Sequence, residues 1–265
     1  MDLNNAAMAI LLGVVEGITE FLPISSTGHL ILLVDLLGFR GPPGRVFEVV
    51  IQFGAILGVC WVYRYRLSAL AANPAARSSR HLVIVLLLGF LPAAVLGFLL
   101  HGFIKAVLFN PLTVSIALVA GGVVIIAIER LVRIERVTSM ESITPSLALK
   151  IGLFQAVAMI PGTSRSGATI MGGRLLGLSR GAAAEFSFLL AIPTMLAASS
   201  YDLYKNAEQI RGEGALLLAL GFFSALVTAV LSVRWLIALV SKRSFECFGW
   251  YRIALGGLML VLLSI

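Results

Sequence analysis

The chain has 265 residues, of which 59% are hydrophobic and only 12% charged, about half the charged share of an average soluble domain. With a mean hydropathy of +1.02 it has too few polar side chains to cover a water-soluble globule, so its solvent is lipid. Twenty Lys and Arg against thirteen Asp and Glu give +7, but the basic residues sit between apolar runs without the basic and aromatic stripe that tracks a phosphate backbone, which argues against nucleic acid as a partner.

The chain opens Met-Asp-Leu-Asn-Asn, acidic where a signal peptide would be basic, so the first apolar stretch is expected to stay in the mature protein. That stretch, 6–38, is broken midway by Pro23-Ile24-Ser25-Ser26-Thr27-Gly28-His29. Apolar runs long enough to cross hydrocarbon follow at 46–63, 82–104 and 111–128. A second stretch, 147–178, is broken by Pro161-Gly162-Thr163-Ser164-Arg165-Ser166-Gly167, and runs at 183–200, 215–240 and 250–265 complete the chain. Proline and glycine end a helix, and irregular backbone at membrane depth survives only inside protein or beside a wet cavity. The expected fold is therefore an all-α polytopic membrane protein of one domain, 1–265, with six full spans and two broken re-entrant helical hairpins. Pro92 and Pro193 are read as kinks, and the small residues in the spans as packing surfaces. Cys60 and Cys247 are too few for a disulfide framework and lack metal-site spacing.

The two broken stretches match at a constant offset: Gly13 with Gly152, Glu16 with Gln155, Ser25 with Ser164, Gly28 with Gly167. With small changes of offset, Glu48 matches Glu185 and Gly89-Phe90 matches Gly221-Phe222. The chain reads as an internal duplication, about 1–130 and 147–265. Arg64, Arg66, Arg77 and Arg80, and further on Lys242 and Arg243, place the loops 64–80 and 241–246 inside. Three spans per repeat is an odd number, so the repeats have inverted topology. The first hairpin then enters from the outer face, with Arg40 and Arg45 outside against the charge rule. The central loop, 129–146, balances Arg130, Arg133 and Arg136 against Glu129, Glu135 and Glu141 and orients little.

Glu16 and Glu20 are one helical turn apart on an apolar helix. Two carboxylates there repel each other and must be protonated, solvated at a wet hairpin mouth, or bridged by a hard divalent cation, Mg²⁺ or Ca²⁺. Ser25, Ser26, Thr27 and His29 follow within ten residues. A hydroxyl acts as a nucleophile when a base adjoins it, and either a glutamate or the imidazole could serve. In the second break Arg165 stands in a Gly/Ser/Thr turn that opens a helix, an arrangement suited to phosphate; snorkelling to an interface is the alternative. Arg252, in Trp250-Tyr251-Arg252, reads as an interface anchor, and Glu48 and Glu185 as helix-start carboxylates that complement the dipole.

The breaks Glu16-Gly17-Ile18-Thr19-Glu20-Phe21-Leu22-Pro23-Ile24-Ser25-Ser26-Thr27-Gly28-His29 and Pro161-Gly162-Thr163-Ser164-Arg165-Ser166-Gly167, with Glu185-Phe186-Ser187-Phe188-Leu189-Leu190-Ala191-Ile192-Pro193, closely resemble the undecaprenyl pyrophosphate phosphatase family, also called bacitracin-resistance proteins. The resemblance covers the whole chain. It implies a bacterial inner-membrane enzyme with an outward-facing site that hydrolyses undecaprenyl pyrophosphate and so recycles the lipid carrier for peptidoglycan synthesis. It also implies dependence on a divalent cation. The family's acidic pair falls on Glu16 and Glu20, its catalytic Ser and His on Ser26 and His29, and its phosphate-binding Arg on Arg165. Ser164, Ser166 and Thr169 fall in its second signature, and with Ser25 and Thr27 are the expected substrate contacts.

The expected chemistry is metal-assisted phosphoryl transfer on a polyprenyl diphosphate, with Ser26 or His29 attacking phosphorus, the tail in membrane lipid, and a homodimer left open. A secondary transporter or flippase is the rival, because inverted repeats with broken helices are common there. Glu16 and Glu20 match Gln155 and Met159, however, and a rocking carrier does not need acids in one half only.

Overall fold

The computed structural model describes residues 3–39, 41, 46–108, 110–205, 214–240 and 242–264. Arg40 and Arg45 lie outside the described residues. The described chain is helical: α1 (Leu3–Thr19), α2 (Ser26–Leu37), α3 (Val46–Val62), α4 (Arg64–Ala72), α5 (Arg77–Phe103), α6 (Pro111–Leu131), α7 (Pro145–Val157), α8 (Arg165–Leu175), α9 (Arg180–Lys205), α10 (Ala215–Val240) and α11 (Glu246–Ser264). Its only pairing of β type among those residues is an isolated bridge from Val137 to Leu178.

Local chemistry sets the ends. Asn110 accepts from Thr113 N–H at 2.8 Å ahead of Pro111, and Thr144 accepts from Leu147 N–H ahead of Pro145. Both are hydroxyl or amide N-caps with proline in the first turn, where its missing N–H costs nothing. Gly38 closes α2 in a left-handed cap at φ 59°.

Helices α5, α6, α9, α10 and α11 are each long and apolar enough to cross a membrane, and α3 makes a sixth if it is counted with α4. The segment from 64, expected as loop, begins instead with α4, bent 73° from α3. Arg64 spreads over the Trp61 and Tyr65 rings at the bend, an arrangement suited to a membrane interface. Phe98 is 87% exposed and Phe223 62%; such rings on spanning helices face lipid. This is a multi-pass membrane protein.

The two interrupted stretches become the helix pairs α1–α2 and α7–α8, each cradled by a spanning helix from far along the chain. α1 packs on α10 and α7 on α5. A Cβ at Gly13 would lie 2.3 Å from Gly221 O, and one at Gly152 would lie 2.5 Å from Gly89 O, so only glycine allows these backbones to touch. α3 packs against both α9 and α10, and α6 against α11.

At the far end of α8 the central linker does more than the sequence suggested. Arg174, 1% exposed, binds Glu129 and, at 2.7 Å, Glu135, while Arg180 binds the other oxygen of Glu129 at 2.7 Å. Arg66 pairs with both Glu185 and Glu141. Glu185 is therefore an ion-pair partner and no helix cap, because α9 begins earlier, at Arg180. Glu48 does lie in the first turn of α3.

Candidate active site

Two serines with left-handed backbone open the site. Ser25 (φ 70°) and Ser164 (φ 73°) are the only non-glycine residues with positive φ among those described. Each is the N-cap of a short helix, and each hydroxyl accepts from the N–H three residues on, Gly28 and Gly167. Such backbone costs about 1–3 kcal/mol per residue and persists only where its surroundings impose it. Both hydroxyls are thus engaged in capping, and the next residue of each break, Ser26 and Arg165, begins the helix.

Those two residues meet on one carboxylate. Ser26 Oγ donates to Glu20 Oε2 at 2.5 Å, and Arg165 Nη2 donates to Glu20 Oε1 at 3.2 Å. Glu20 is 8% exposed and the Arg165 side chain 11%. Arg165 also donates from Nη1 to Ser187 O at 3.1 Å and lies over the Phe21 ring. Its Nε has no hydrogen-bond partner among the described residues, nor does the buried Glu16 Oε2. A buried polar atom left unpaired is costly, so both atoms have hydrogen-bonding capacity to spare for a ligand.

Glu16 and Glu20 suit a divalent cation. No cluster of three or more His, Cys, Asp or Glu side chains exists among the described residues, but Mg²⁺ is held through one or two carboxylates, with phosphate oxygens and water completing its shell. The unpaired Glu16 oxygen could serve as one ligand of such a shell.

His29 takes another direction. Nδ1 pairs with Ser25 O at 2.8 Å, which requires that nitrogen to be the donor, and Nε2 then accepts from Tyr251 Oη at 2.6 Å. The two rings are parallel, with centroids 5.5 Å apart. Both imidazole nitrogens are engaged away from Ser26.

The other candidates bind the breaks together. Ser166 Oγ donates to Leu22 O at 2.8 Å, joining the second break to the first, and lies 3.0 Å from Ser164 Oγ. Thr169 Oγ1 donates back to Arg165 O and meets Ser187 Oγ at 2.6 Å. Thr27 is half-buried. Ser187 and Tyr251 were not singled out from the sequence; the one visible signal was a hydroxyl flanked by Phe186 and Phe188, both fully buried.

Arg252 overturns its expected role. It is no interface anchor: 1% exposed, it donates to five backbone carbonyls, those of Pro23, Ala117, Leu118, Gly162 and Thr163.

The chain is similar to undecaprenyl-diphosphatase 2 of Paramagnetospirillum magneticum, 54% identical over 96% of the chain and 98% of that protein. It is 52% identical to an undecaprenyl-diphosphatase of Aromatoleum aromaticum, over 97% of the chain and 94% of that protein. A third undecaprenyl-diphosphatase, from Methylococcus capsulatus, is 53% identical over 97% of the chain and 93% of its own length. Residues 9–258 match the family described as bacitracin resistance protein BacA, and the chain belongs to that family.

Proposed function

We propose that this protein is an integral-membrane phosphatase that hydrolyses undecaprenyl diphosphate to undecaprenyl phosphate and inorganic phosphate. The observation that carries the reading is the meeting of Ser26 and Arg165, from breaks far apart in sequence, on the two oxygens of Glu20. A hydroxyl hydrogen-bonded to a buried carboxylate is an activated nucleophile, and a guanidinium alongside is a clamp for phosphate. Membership of the family and the named activity of its relatives support the same chemistry.

Ser26 Oγ attacks the terminal phosphorus as its proton passes to Glu20. The bond from that phosphorus to the bridging oxygen breaks, and undecaprenyl phosphate leaves with the electron pair. Water then attacks the phosphoserine, releasing inorganic phosphate and restoring the serine. Arg165 leaves Glu20 for the equatorial oxygens, where charge develops. His29, held in one tautomer by Ser25 O and Tyr251, flanks this chemistry. Glu16, with Glu20 in its ionised form, would hold the divalent cation, Mg²⁺ or Ca²⁺, and the cation would there neutralise phosphate charge. An apolar cavity of ≈ 430 Å³ between α6, α7 and α8 reaches Thr163 and Gly167 at the second break and suits a prenyl tail.

The architecture we infer is an inverted repeat with two re-entrant hairpins and six spans. The matched caps at Ser25 and Ser164 support it, as do the crossed contacts Gly13 to Gly221 and Gly152 to Gly89. The basic α4 end then lies in the cytoplasm and the site faces the periplasm or exterior of a bacterial inner membrane. In cells lacking Cys60 and Cys247, a membrane-impermeant thiol reagent should modify a cysteine at Tyr204 and spare one at Arg77; the opposite pattern reverses the orientation.

The decisive assay is phosphate release from undecaprenyl diphosphate by purified protein in detergent, where transport has no meaning. No release with any divalent ion would overturn the phosphatase reading.

A further inference from the structure

Arg252 is a buried cation whose partners are all carbonyl dipoles. Nη1 donates to Thr163 O at 2.8 Å and to Pro23 O at 3.3 Å, and Nη2 to Gly162 O and Ala117 O, both at 3.0 Å; Nε donates to Leu118 O at 3.3 Å. The partners come from three places: the first break, the second break and the wall of α6. No carboxylate among the described residues shares the guanidinium. A side chain that only packed helices together would not need to collect carbonyls from both interruptions.

The choice of carbonyls is specific. Thr163 immediately precedes the strained cap Ser164, and Pro23 stands two residues before the strained cap Ser25. A trans peptide is planar, so fixing its carbonyl toward Arg252 sends the following N–H the opposite way. One guanidinium therefore sets the backbone just upstream of both left-handed caps. Those caps decide where α2 and α8 start, and hence where Ser26 and Arg165 stand relative to Glu20. Resting on the phosphatase reading, we propose that Arg252 is a positioning residue that locks the two breaks to each other in the reactive arrangement.

Lysine is the informative substitution, because an ammonium has three donors and no planar fork, so at least two of the five buried carbonyls lose their partner. Gly121 supplies a second handle. A Cβ there would lie 2.1 Å from Arg252 Nη2 and 2.6 Å from Cζ, so Gly121→Ala displaces the guanidinium without removing it.

The experiment compares wild type, Arg252→Lys and Gly121→Ala, each purified as a single species in detergent, by steady-state kinetics and by hydrogen exchange of peptides covering 20–29 and 160–169. Misplacing reacting groups by about an ångström costs up to roughly 100-fold. We expect kcat to fall roughly 10- to 100-fold in Arg252→Lys, less in Gly121→Ala, with KM moving little. Exchange should rise in both break peptides together and stay unchanged in peptides from α3 and α10. Wild-type kcat in Arg252→Lys, faster exchange in one break only, or faster exchange throughout would each overturn the proposal. If Arg252→Lys does not fold, Gly121→Ala decides by the same criteria. Exchange does not depend on turnover, so a wild type that releases no phosphate defeats the phosphatase reading while leaving the clamp to be judged on its own.

Discussion

The first and second breaks share a backbone and divide the chemistry. Ser25 and Ser164 take the same left-handed cap and bind the matching N–H, yet the helix each cap opens begins with a hydroxyl in one case and a guanidinium in the other. The helices that lead in differ as much. α1 and the residue that follows it bring Glu16 and Glu20, whereas the match of Glu16 in α7, Gln155, donates to Gly89 O and accepts from Thr194 Oγ1. Two geometrically alike caps thus carry different side chains, and on the reading proposed above one is the base and metal side and the other the phosphate side.

The sharpest way to break that comparison is to remove the charge found in one half only. Glu16→Gln and Glu20→Gln should each cut turnover by about 10²–10⁴-fold, and chelation should abolish wild-type phosphate release. Full activity in excess EDTA would sink the metal role. Next comes the phosphate side. Arg165→Ala should lose about 10²–10³-fold in kcat, and Arg165→Lys should stay clearly impaired because an ammonium lacks the fork that grips two oxygens. A lysine variant equal to wild type in kcat and KM would reduce Arg165 to a structural counter-ion of Glu20. The smallest effect is expected at Gln155, the structural match of Glu16. Gln155→Leu should leave kcat within about twofold while lowering stability by about 1 kcal/mol per lost hydrogen bond, read from thermal denaturation. A large loss of turnover there would mean the second half contributes more than its Arg.

Much of this was legible because membrane depth makes polar residues conspicuous. Glu16, Glu20, Ser26 and Arg165 stand out in apolar surroundings, and proline with glycine marks both interruptions. Arg252 was misread because its partners are backbone oxygens, which leave no trace in sequence, and some lie as far away as Pro23. Flanked by Trp250 and Tyr251 at a helix start, it looked like an anchor. Glu185 was misread because its partner is Arg66, far earlier in the chain, while the true start of α9 was hidden in the loop. His29 pairs with Tyr251, a contact between α2 and α11 that helical periodicity cannot reveal. The partners of Ser26 and His29, Glu20 and Tyr251, come together only in the folded chain.

The packing of α1 on α10 has a consequence for biosynthesis. A ribosome releases the chain from its N-terminus, so α1, with Glu16 on it and Glu20 just past its end, is made long before residues 215–240 exist to cover Gly13 and Gly17. Through most of translation this helix lacks its final neighbour and must rest in the water of the interface or the insertion machinery, since bare carboxylates are costly in hydrocarbon. A chain halted before α10 would carry every residue of the first signature and still have no enclosed site. The finished hairpin is thus a late product of insertion.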